Sequence, residues 1–310
     1  MREAAVKALT ELAEKDREVL LLSGDLGYGV LDTFRSKMPE QYFNVGICEQ
    51  NMSSLAAGLA LEGKKVYTYS IGNFPTLRCI EQIRNDICYH NANVTIIAVG
   101  GGFAYGSLGM SHHATEDIAI MRSLPNMRVF TPADAAEARA VILKTAEIQA
   151  PCYVRLNKGG EPDIHQSYDE LADYETGRAL QLREGTDICI MSAGAITIEA
   201  VKAAENLESF GISAAVYSFP SVKPIDEKVI KECAKKYGYI LTVEEHNIVG
   251  GFGSAVAEIV AEGVGKARVI RIGLQDIYSS IVGSQSYLRH VYGMDSEAIT
   301  NKVLNLIKVN

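Results

Sequence analysis

The sequence Val-Thr-Ile-Ile-Ala-Val-Gly-Gly-Gly, residues 94–102, joins a short apolar run to three consecutive glycines. Similar apolar runs recur along the chain and alternate with amphipathic stretches, which is typical of a parallel sheet covered by helices. In the first part of the chain we predict five strands, at residues 19–22, 65–69, 94–99, 128–130 and 152–156. The helices between them are predicted at residues 53–61, 76–89, 115–123 and 133–147.

A second unit repeats this alternation after a polar stretch, residues 157–180, which we interpret as an interdomain connection. Its predicted strands lie at residues 187–192, 213–218, 239–243 and 267–272. Its predicted helices lie at residues 195–210, 226–236 and 253–262. The sequence therefore predicts an α/β protein with two three-layer α/β/α domains and largely parallel sheets, at residues 1–170 and 181–310.

The composition is that of an ordinary globular protein of about two domains, with 310 residues, 47% apolar and 22% charged. A formal net charge of −8 disfavours nucleic acid or an anionic membrane as a partner. No apolar run approaches the roughly 20 residues that a bilayer span requires. Glu3 and Lys7 stand where a signal peptide would need an apolar core, so we predict a cytoplasmic protein.

The six cysteines are scattered through the chain and form no C-x-x-C pair. This scatter predicts free thiols in a reducing compartment, and it favours neither disulfides nor a cysteine-based zinc site.

Glycines cluster where predicted strands end, around residues 24–29, 100–102 and 250–253. In open α/β sheets, ligands bind beyond the carboxyl ends of the strands, where glycine lets the backbone approach them closely. No Gly-Lys-Ser/Thr and no complete dinucleotide fingerprint occurs, which argues against a Walker or Rossmann nucleotide site. Any single cluster could also be a tight turn.

One carboxylate, that of Glu49, lies in an apolar stretch of sequence. The stretch at residues 44–58, Asn-Val-Gly-Ile-Cys-Glu-Gln-Asn-Met-Ser-Ser-Leu-Ala-Ala-Gly, places Glu49 at the start of an otherwise apolar helix that runs to about Leu61. Ionised carboxylates are seldom buried without a partner or a purpose. An acid in a first helical turn is also favoured by the helix dipole. Spacing alone leaves both interpretations open.

Six stretches together resemble the C-terminal half of a transketolase, in the family's order and over nearly the whole chain. They read Ser-Gly-Asp-Leu (23–26), Gly-Ile-Cys-Glu-Gln-Asn-Met (46–52), Gly-Met-Ser-His-His-Ala-Thr-Glu-Asp (109–117), Leu-Pro-Asn-Met (124–127), Thr-Pro-Ala-Asp (131–134) and Thr-Val-Glu-Glu-His-Asn-Ile-Val-Gly-Gly-Phe-Gly (242–253). The resemblance implies a domain that binds the pyrimidine of thiamine diphosphate, followed by a transketolase C-terminal domain.

The other half of that family carries a Gly-Asp-Gly motif that holds Mg²⁺ and the diphosphate. This chain contains no Gly-Asp-Gly, and Gly24-Asp25-Leu26 belongs to the pyrimidine-domain pattern instead. The resemblance therefore implies one subunit of a split transketolase. A separate N-terminal subunit would hold the diphosphate and Mg²⁺, and the two chains would assemble as a heterotetramer.

The resemblance also implies roles for particular residues. Glu49 matches the glutamate that activates the cofactor by hydrogen bonding a ring nitrogen of its aminopyrimidine. Phe74 lies near the position of the aromatic residue that packs on that ring, and Ile71 and Asn73 are possible neighbours of the cofactor. Asp25 corresponds to an aspartate close to the cofactor and to the subunit interface.

His112 aligns with the family histidine that contacts the hydroxyls of the donor ketose. A neutral imidazole can donate and accept hydrogen bonds, which suits sugar hydroxyls. His113 follows directly, and we expect one of the pair to be structural. Glu244, Glu245 and His246 match a family signature that we also expect to be structural.

The residues that would bind the acceptor sugar depart from the family pattern. Arg2 matches a family arginine. At the other positions this chain has Gly29 where the family has a serine, Gly100 where it has a histidine, Leu108 where it has an aspartate, and Lys158 or Arg155 near the position of a second arginine. Arginine and lysine are not equivalent at a phosphate site. We therefore expect a larger, unphosphorylated or nucleotide-linked sugar, using the space left by the two glycines.

The predicted activity is transfer of a two-carbon ketol unit from a ketose donor to an aldose or keto-sugar acceptor. Three alternatives stay open: the β subunit of a 2-oxoacid dehydrogenase, a 1-deoxyxylulose-phosphate synthase relative, and a non-catalytic partner subunit.

Overall fold

The structure is a computed structural model that describes residues 1–308, and its strands form two mostly parallel sheets. The seven-stranded sheet has the order β10-β5-β6-β4-β3-β1-β2, and the five-stranded sheet has the order β12-β11-β8-β9-β7. The strands are β1 Val19–Ser23, β2 Tyr42–Asn44, β3 Lys65–Ile71, β4 Val94–Val99, β5 Arg128–Phe130, β6 Cys152–Leu156, β7 Leu180–Arg183, β8 Ile188–Ala193, β9 Ala214–Ser218, β10 Ser221–Lys223, β11 Tyr239–Asn247 and β12 Arg268–Leu274.

Helices cover both sheets, which confirms the predicted α/β class. They are α1 Arg2–Lys15, α2 Asp32–Lys37, α3 Glu49–Leu61, α4 Ile80–Gln82, α5 Asp117–Ser123, α6 Ala135–Thr145, α7 Thr197–Glu208, α8 Glu227–Lys236, α9 Phe252–Glu262, α10 Gln285–Val291 and α11 Ser296–Lys308. Within residues 1–308, no helix is both long and apolar enough to cross a bilayer.

The core lies on both faces of the first sheet because successive side chains of a strand point to opposite faces. Leu21 and Ile97 face one side, where they pack with α1 and α6. Leu22 and Ile96 face the other side, in a cluster that also contains Met191 of β8. The two sheets therefore share a continuous apolar core.

Every strand that the sequence predicts is present, but three short edge strands were not predicted. Each of these, β2, β7 and β10, has only three or four residues and lies at a sheet edge. Length alone does not explain this, because the predicted β5 also has three residues. The side chains of β2 and β7 are half-buried or exposed, so these strands lack the apolar run that marks a buried strand. β10 comes from the second half of the chain, yet it pairs antiparallel with β5 in the first sheet.

The helix predicted at residues 76–89 is irregular in the structure. Leu77–Cys79 forms a 3₁₀ turn, α4 adds a short α-helical turn, and Ile83–Cys88 forms a π-helical turn. Departures of this kind are frequent at functional sites. All six cysteines are free, as predicted.

Asp134 ties the connection between the two sheets to α6. Its Oδ1 accepts the backbone N–H of Glu137 at 2.9 Å, which caps the helix. Its Oδ2 accepts backbone N–H groups of Ile164 and His165 at 2.9 and 2.8 Å and lies 3.0 Å from His165 Nδ1. Burial alone would raise the pKa of Asp134, but hydrogen bonds from His165 and Glu137 outweigh it and hold the pKa at about 2.

Replacing Asp134 by Ala is expected to lower the free energy of unfolding by about 2–4 kcal/mol, since a cap is lost and buried donors are left unpaired. Urea unfolding at pH 7 measures this change. Ser284→Ala is the control. The Ser284 side chain caps α10 by accepting the backbone N–H of Tyr287, and its removal should lower the free energy of unfolding by about 1 kcal/mol. The contribution of Asp134 is present above its ordinary pKa of 3.8 and is lost as the pH falls towards 2. Equal losses in the two variants, or no pH dependence, would contradict this role.

Candidate active site

The carboxyl ends of β1, β3, β4 and β6 meet at one edge of the first sheet because these strands are parallel. The loops that follow them carry Asp25, Phe74, Gly100 and Lys158. Glu49 begins α3, immediately after the loop that leaves β2. This edge is where open α/β sheets bind ligands.

The Glu49 side chain is only 1% exposed, although it begins a helix. Its Oε2 accepts a hydrogen bond of 2.6 Å from Nη1 of Arg78. Its Oε1 is 3.4 Å from the Ser70 hydroxyl, and a Cβ on Gly24 would lie 3.5 Å from the same oxygen. The carboxylate is thus held in place from both sides, and its Oε2 points towards the half-exposed arginine.

A row of side-chain contacts leads outward from the Glu49 carboxylate, first to Arg78, then to Phe74 and then to His112. The Arg78 guanidinium carbon lies 4.6 Å from the centre of the Phe74 ring, a cation–π contact. The Phe74 ring meets the His112 ring edge-on, with centroids 5.3 Å apart. The structure therefore brings together Glu49, Phe74 and His112, three residues that the sequence predicts for one site.

The two adjacent histidines have different surroundings. His112 is half-buried, and its Nδ1 lies 3.0 Å from the Ser111 hydroxyl, which leaves Nε2 for another partner. His113 is buried; its Nε2 lies 3.2 Å from the carbonyl of Gly106, and its ring packs edge-on against Phe103. This placement supports His112 as the functional member and His113 as the structural one.

Asn73 fixes the loop that carries both histidines. Its Nδ2 donates to the carbonyl of His113 at 2.7 Å and to that of Ser111 at 3.3 Å. The amide nitrogen of Asn73 is therefore used inside the protein, whereas its buried Oδ1 has no hydrogen-bond partner within residues 1–308. Ile71, the last residue of β3, is half-buried and pairs with Val99 in the sheet. Of Phe74, Ile71 and Asn73, Phe74 is the residue whose ring contacts Arg78, the partner of the Glu49 carboxylate.

Tyr105 joins two predicted substrate residues to His112. Its ring centroid lies 6.2 Å from that of His112 and 5.1 Å from Nζ of Lys158. Arg2 also lies beside Tyr105 and Tyr69, where its positive charge opposes the rise in the pKa of both phenols that burial causes. Arg2, Lys158 and His112 therefore converge on one aromatic ring.

Only one of the two glycines expected to leave space does so. Nothing lies within 4 Å of a Cβ built on Gly29. A Cβ on Gly100 would lie 2.2 Å from the Tyr105 ring, and the φ of Gly100 is +97°. The space expected at Gly100 is therefore filled by Tyr105, and glycine is needed there for the close approach.

Asp25 lies at the exposed side of the site in a left-handed conformation, with φ of 54°. Its Oδ1 accepts hydrogen bonds from Asn44 Nδ2 at 2.8 Å and from the Tyr28 hydroxyl at 3.0 Å. The bond from Asn44, followed by that from Tyr28, lowers the pKa of the Asp25 carboxyl. An ionised Asp25 holds the loops after β1 and β2 together.

The predicted substrate role of Arg155 does not fit its position. Its side chain is 6% exposed, and its Nε donates to Asp117 Oδ2 at 2.8 Å. Its Nη2 donates to the carbonyls of Ala114 and Glu245 at 2.8 and 2.9 Å. The guanidinium is thus occupied by buried partners from both halves of the chain, and Lys158 is the exposed cation of the pair.

The Glu244–His246 signature is structural, as expected. Glu244 accepts the N–H groups of Phe252 and Gly253 at the start of α9, and burial raises its pKa to about 7. Glu245 accepts the N–H of Phe103 at 2.6 Å. Burial lowers the pKa of His246. Glu244 thus joins β11 to α9, whereas Glu245 and His246 accept N–H groups from Phe103 and Ala119 in the first half of the chain.

Sequence reasoning missed two residues of this site, Arg78 and Tyr105. Arg78 lies in the irregular helical segment, where no periodic pattern predicts which way a side chain points. Tyr105 had one available signal, since it is an aromatic residue shortly after a strand-end glycine cluster.

Large apolar side chains that flank the site along the chain are exposed. They are Tyr28, Phe43, Ile47, Leu77, Leu108 and Met110. Ile47 is 76% exposed and Tyr28 is 74% exposed. Clusters of this kind mark surfaces that contact other molecules.

Comparison with known proteins follows the same division of the chain. Residues 1–161 match the family described as the transketolase pyrimidine binding domain, and residues 177–299 match the transketolase C-terminal domain.

Three similar proteins extend over almost the whole chain. A transketolase C-terminal section of Methanocaldococcus jannaschii is 38% identical over 99% of this chain and 96% of its own length. One subunit of an apulose-4-phosphate transketolase from Phocaeicola vulgatus is 34% identical over 99% of this chain and 97% of its own length. A solved structure described as a split-gene transketolase, an inactive β4 tetramer, superposes with a TM-score of 0.90 at 40% identity, covering 98% of this chain and 97% of that one.

Proposed function

The chain belongs to the transketolase family, and from this we propose that it is the pyrimidine-binding subunit of a split, thiamine-diphosphate-dependent transketolase. The observation that carries the proposal is the buried Glu49 carboxylate, which Arg78 links to the Phe74 ring, with His112 packed on that ring. A non-catalytic subunit, the alternative left open by the sequence, would not require this arrangement.

The residues around Glu49 fit the aminopyrimidine of thiamine diphosphate. Oε2 of Glu49 already accepts a hydrogen bond from a planar nitrogen group, and that group lies over the face of Phe74. A flat aminopyrimidine presents the same two features, an in-plane nitrogen and an aromatic face. Mg²⁺ and the diphosphate would need hard oxygen ligands, and residues 1–308 contain no group of three side chains that could hold a metal ion.

Thiamine diphosphate, when bound, supplies the carbanion chemistry of ketol transfer. Glu49 holds its carboxylate in a water-poor position and would exchange a proton through Oε2 with a ring nitrogen of the bound cofactor. Phe74 and Asp25 are proposed to position the ring, Phe74 by packing and Asp25 from the exposed loop. Ile71 supports this edge from β3. His112 presents Nε2 to the hydroxyls of the donor sugar.

Arg2 and Lys158 are the proposed contacts for the acceptor sugar. Both lie at Tyr105, which in turn packs beside His112. Two cations at one ring suit an acceptor that carries an anionic group. Of the acceptors expected from the sequence, this favours the nucleotide-linked sugar over the unphosphorylated one.

The other half of the active site would come from an N-terminal subunit that carries the Gly-Asp-Gly motif, in a heterotetramer of two chains of each kind. The exposed apolar residues beside Glu49 and His112 support such an interface. Two of the similar proteins are described as a subunit and as a C-terminal section. We place the domain limits at residues 1–170 and 181–310, and the free thiols suit the reducing cytoplasm.

Co-expression of this chain with a Gly-Asp-Gly subunit from the same genome tests the proposal. Affinity capture is expected to give a stoichiometric complex, and calorimetry is expected to detect thiamine diphosphate binding with Mg²⁺ only when both chains are present. The complex should then cleave a ketose without releasing CO₂. Turnover by this chain alone would contradict the split site, and CO₂ release from pyruvate would favour a 2-oxoacid dehydrogenase.

A further inference from the structure

Arg78 has no part in the function proposed above, yet it makes the closest contact to the Glu49 carboxylate. Its Nη1 lies 2.6 Å from Glu49 Oε2, while the side chain as a whole is 45% exposed. Its guanidinium carbon lies 4.6 Å from the centre of the Phe74 ring. One end of Arg78 is thus inserted between the two residues that would hold the cofactor's pyrimidine.

The guanidinium of Arg78 and an aminopyrimidine would make the same kinds of contact with the protein. Each is planar, presents a nitrogen to a carboxylate in its own plane, and offers a face to an aromatic ring. The two groups cannot bind one to each carboxylate oxygen of Glu49, because Oε1 is directed inward to Ser70 and Gly24. Both groups therefore compete for Oε2 and for the Phe74 face.

We propose that Arg78 is a gate on the cofactor site: it occupies the pyrimidine position on Glu49 and Phe74 and must swing out before thiamine diphosphate binds. This inference rests on the proposed function. The gate gives the buried carboxylate a partner in the free subunit, where an unpaired buried charge would be costly. It also lowers the affinity of that subunit for the cofactor. Arg78 can leave because its outer part already faces solvent and it lies on an irregular helical turn.

Calorimetric titration of thiamine diphosphate with Mg²⁺ into the two-subunit complex tests the gate. Arg78→Gln removes the charge and is expected to lower the Kd for the cofactor roughly 10- to 100-fold, as expected for loss of one charge-assisted competing contact. Arg84→Gln is the matched control, because Arg84 is exposed on the same helical segment and donates to Asn85 at 2.7 Å. Its Kd should equal that of the wild type.

Thermal unfolding of the separate chain supplies a second readout. Arg78→Gln should lower the Tm of the free chain because Glu49 loses its ionic partner, whereas Arg84→Gln should leave the Tm unchanged. Arg78→Lys keeps a positive charge near Glu49 without a planar face, so its Kd should lie between those of the wild type and Arg78→Gln. If Arg78→Gln does not fold, the Arg78→Lys titration decides alone.

The outcomes separate failure of the gate from failure of the proposed function. Equal or weaker cofactor binding by both Arg78 variants, in a complex whose wild type binds, would overturn the gate and leave the function standing. A raised KM for the donor sugar with unchanged cofactor Kd would overturn it too, and would make Arg78 a substrate contact. If no form of the complex, including the wild type, binds the cofactor, the proposed function itself fails.

Discussion

The Glu49→Gln enzyme, assembled with its partner subunit, is expected to turn over about 10²- to 10⁴-fold more slowly than the wild type, the range for loss of a positioned proton-transfer group. Glutamine keeps the length of the side chain, and its amide oxygen can still accept from Arg78. What it cannot do is exchange a proton with a ring nitrogen. The fold and the Tm of the subunit should therefore change little.

Steady-state kinetics with a ketose donor measures this loss, and Glu81→Gln is the matched control. Glu81 lies in α4, three residues beyond Arg78, and is exposed. Its replacement should leave kcat within a factor of about two, as expected of a surface position. Near-normal turnover of Glu49→Gln in a complex that binds the cofactor would remove the basis for assigning catalysis to this carboxylate.

Replacing Arg155 by Met is expected to lower the free energy of unfolding by about 3–5 kcal/mol, because it leaves Asp117 as an uncompensated buried charge. Arg155 also donates to two backbone carbonyls, one from each half of the chain. Asp117 keeps a hydrogen bond of 2.6 Å from the Tyr153 hydroxyl, which compensates only in part.

Urea unfolding of Arg155→Met, of Asp117→Asn and of the double variant measures the energy of the Arg155–Asp117 interaction apart from the other contacts of each side chain. The double variant should be more stable than the sum of the single effects predicts, by about 1–3 kcal/mol. Arg183→Met is the control, since Arg183 pairs with the exposed Glu208 and should cost less than about 1 kcal/mol. If Arg155→Met is as stable as Arg183→Met and instead raises the KM for the acceptor, the substrate role that the sequence suggested is correct.

The sequence by itself determined the fold class and the central strands. A short apolar run such as residues 94–99, rich in β-branched residues and followed by glycines, is typical of a strand buried on both faces of a parallel sheet, so it could be predicted from the sequence. The edge strand at Ser221–Lys223 could not be predicted. Three residues carry no period, and their pairing with β5 depends on contacts across the two halves of the chain.

The sequence also selected Glu49 and the adjacent histidines, because the stretches that contain them match one family's motifs, whereas spacing alone left the role of Glu49 open. Tertiary structure decided what each side chain does. It buried Arg155 with Asp117, although the sequence offers Arg155 and Lys158, three residues apart, for the same role. It filled the space at Gly100 with Tyr105 and placed Arg78 on Glu49. Local sequence sets residue type and period, whereas side-chain partners are set by elements that meet only when the chain folds.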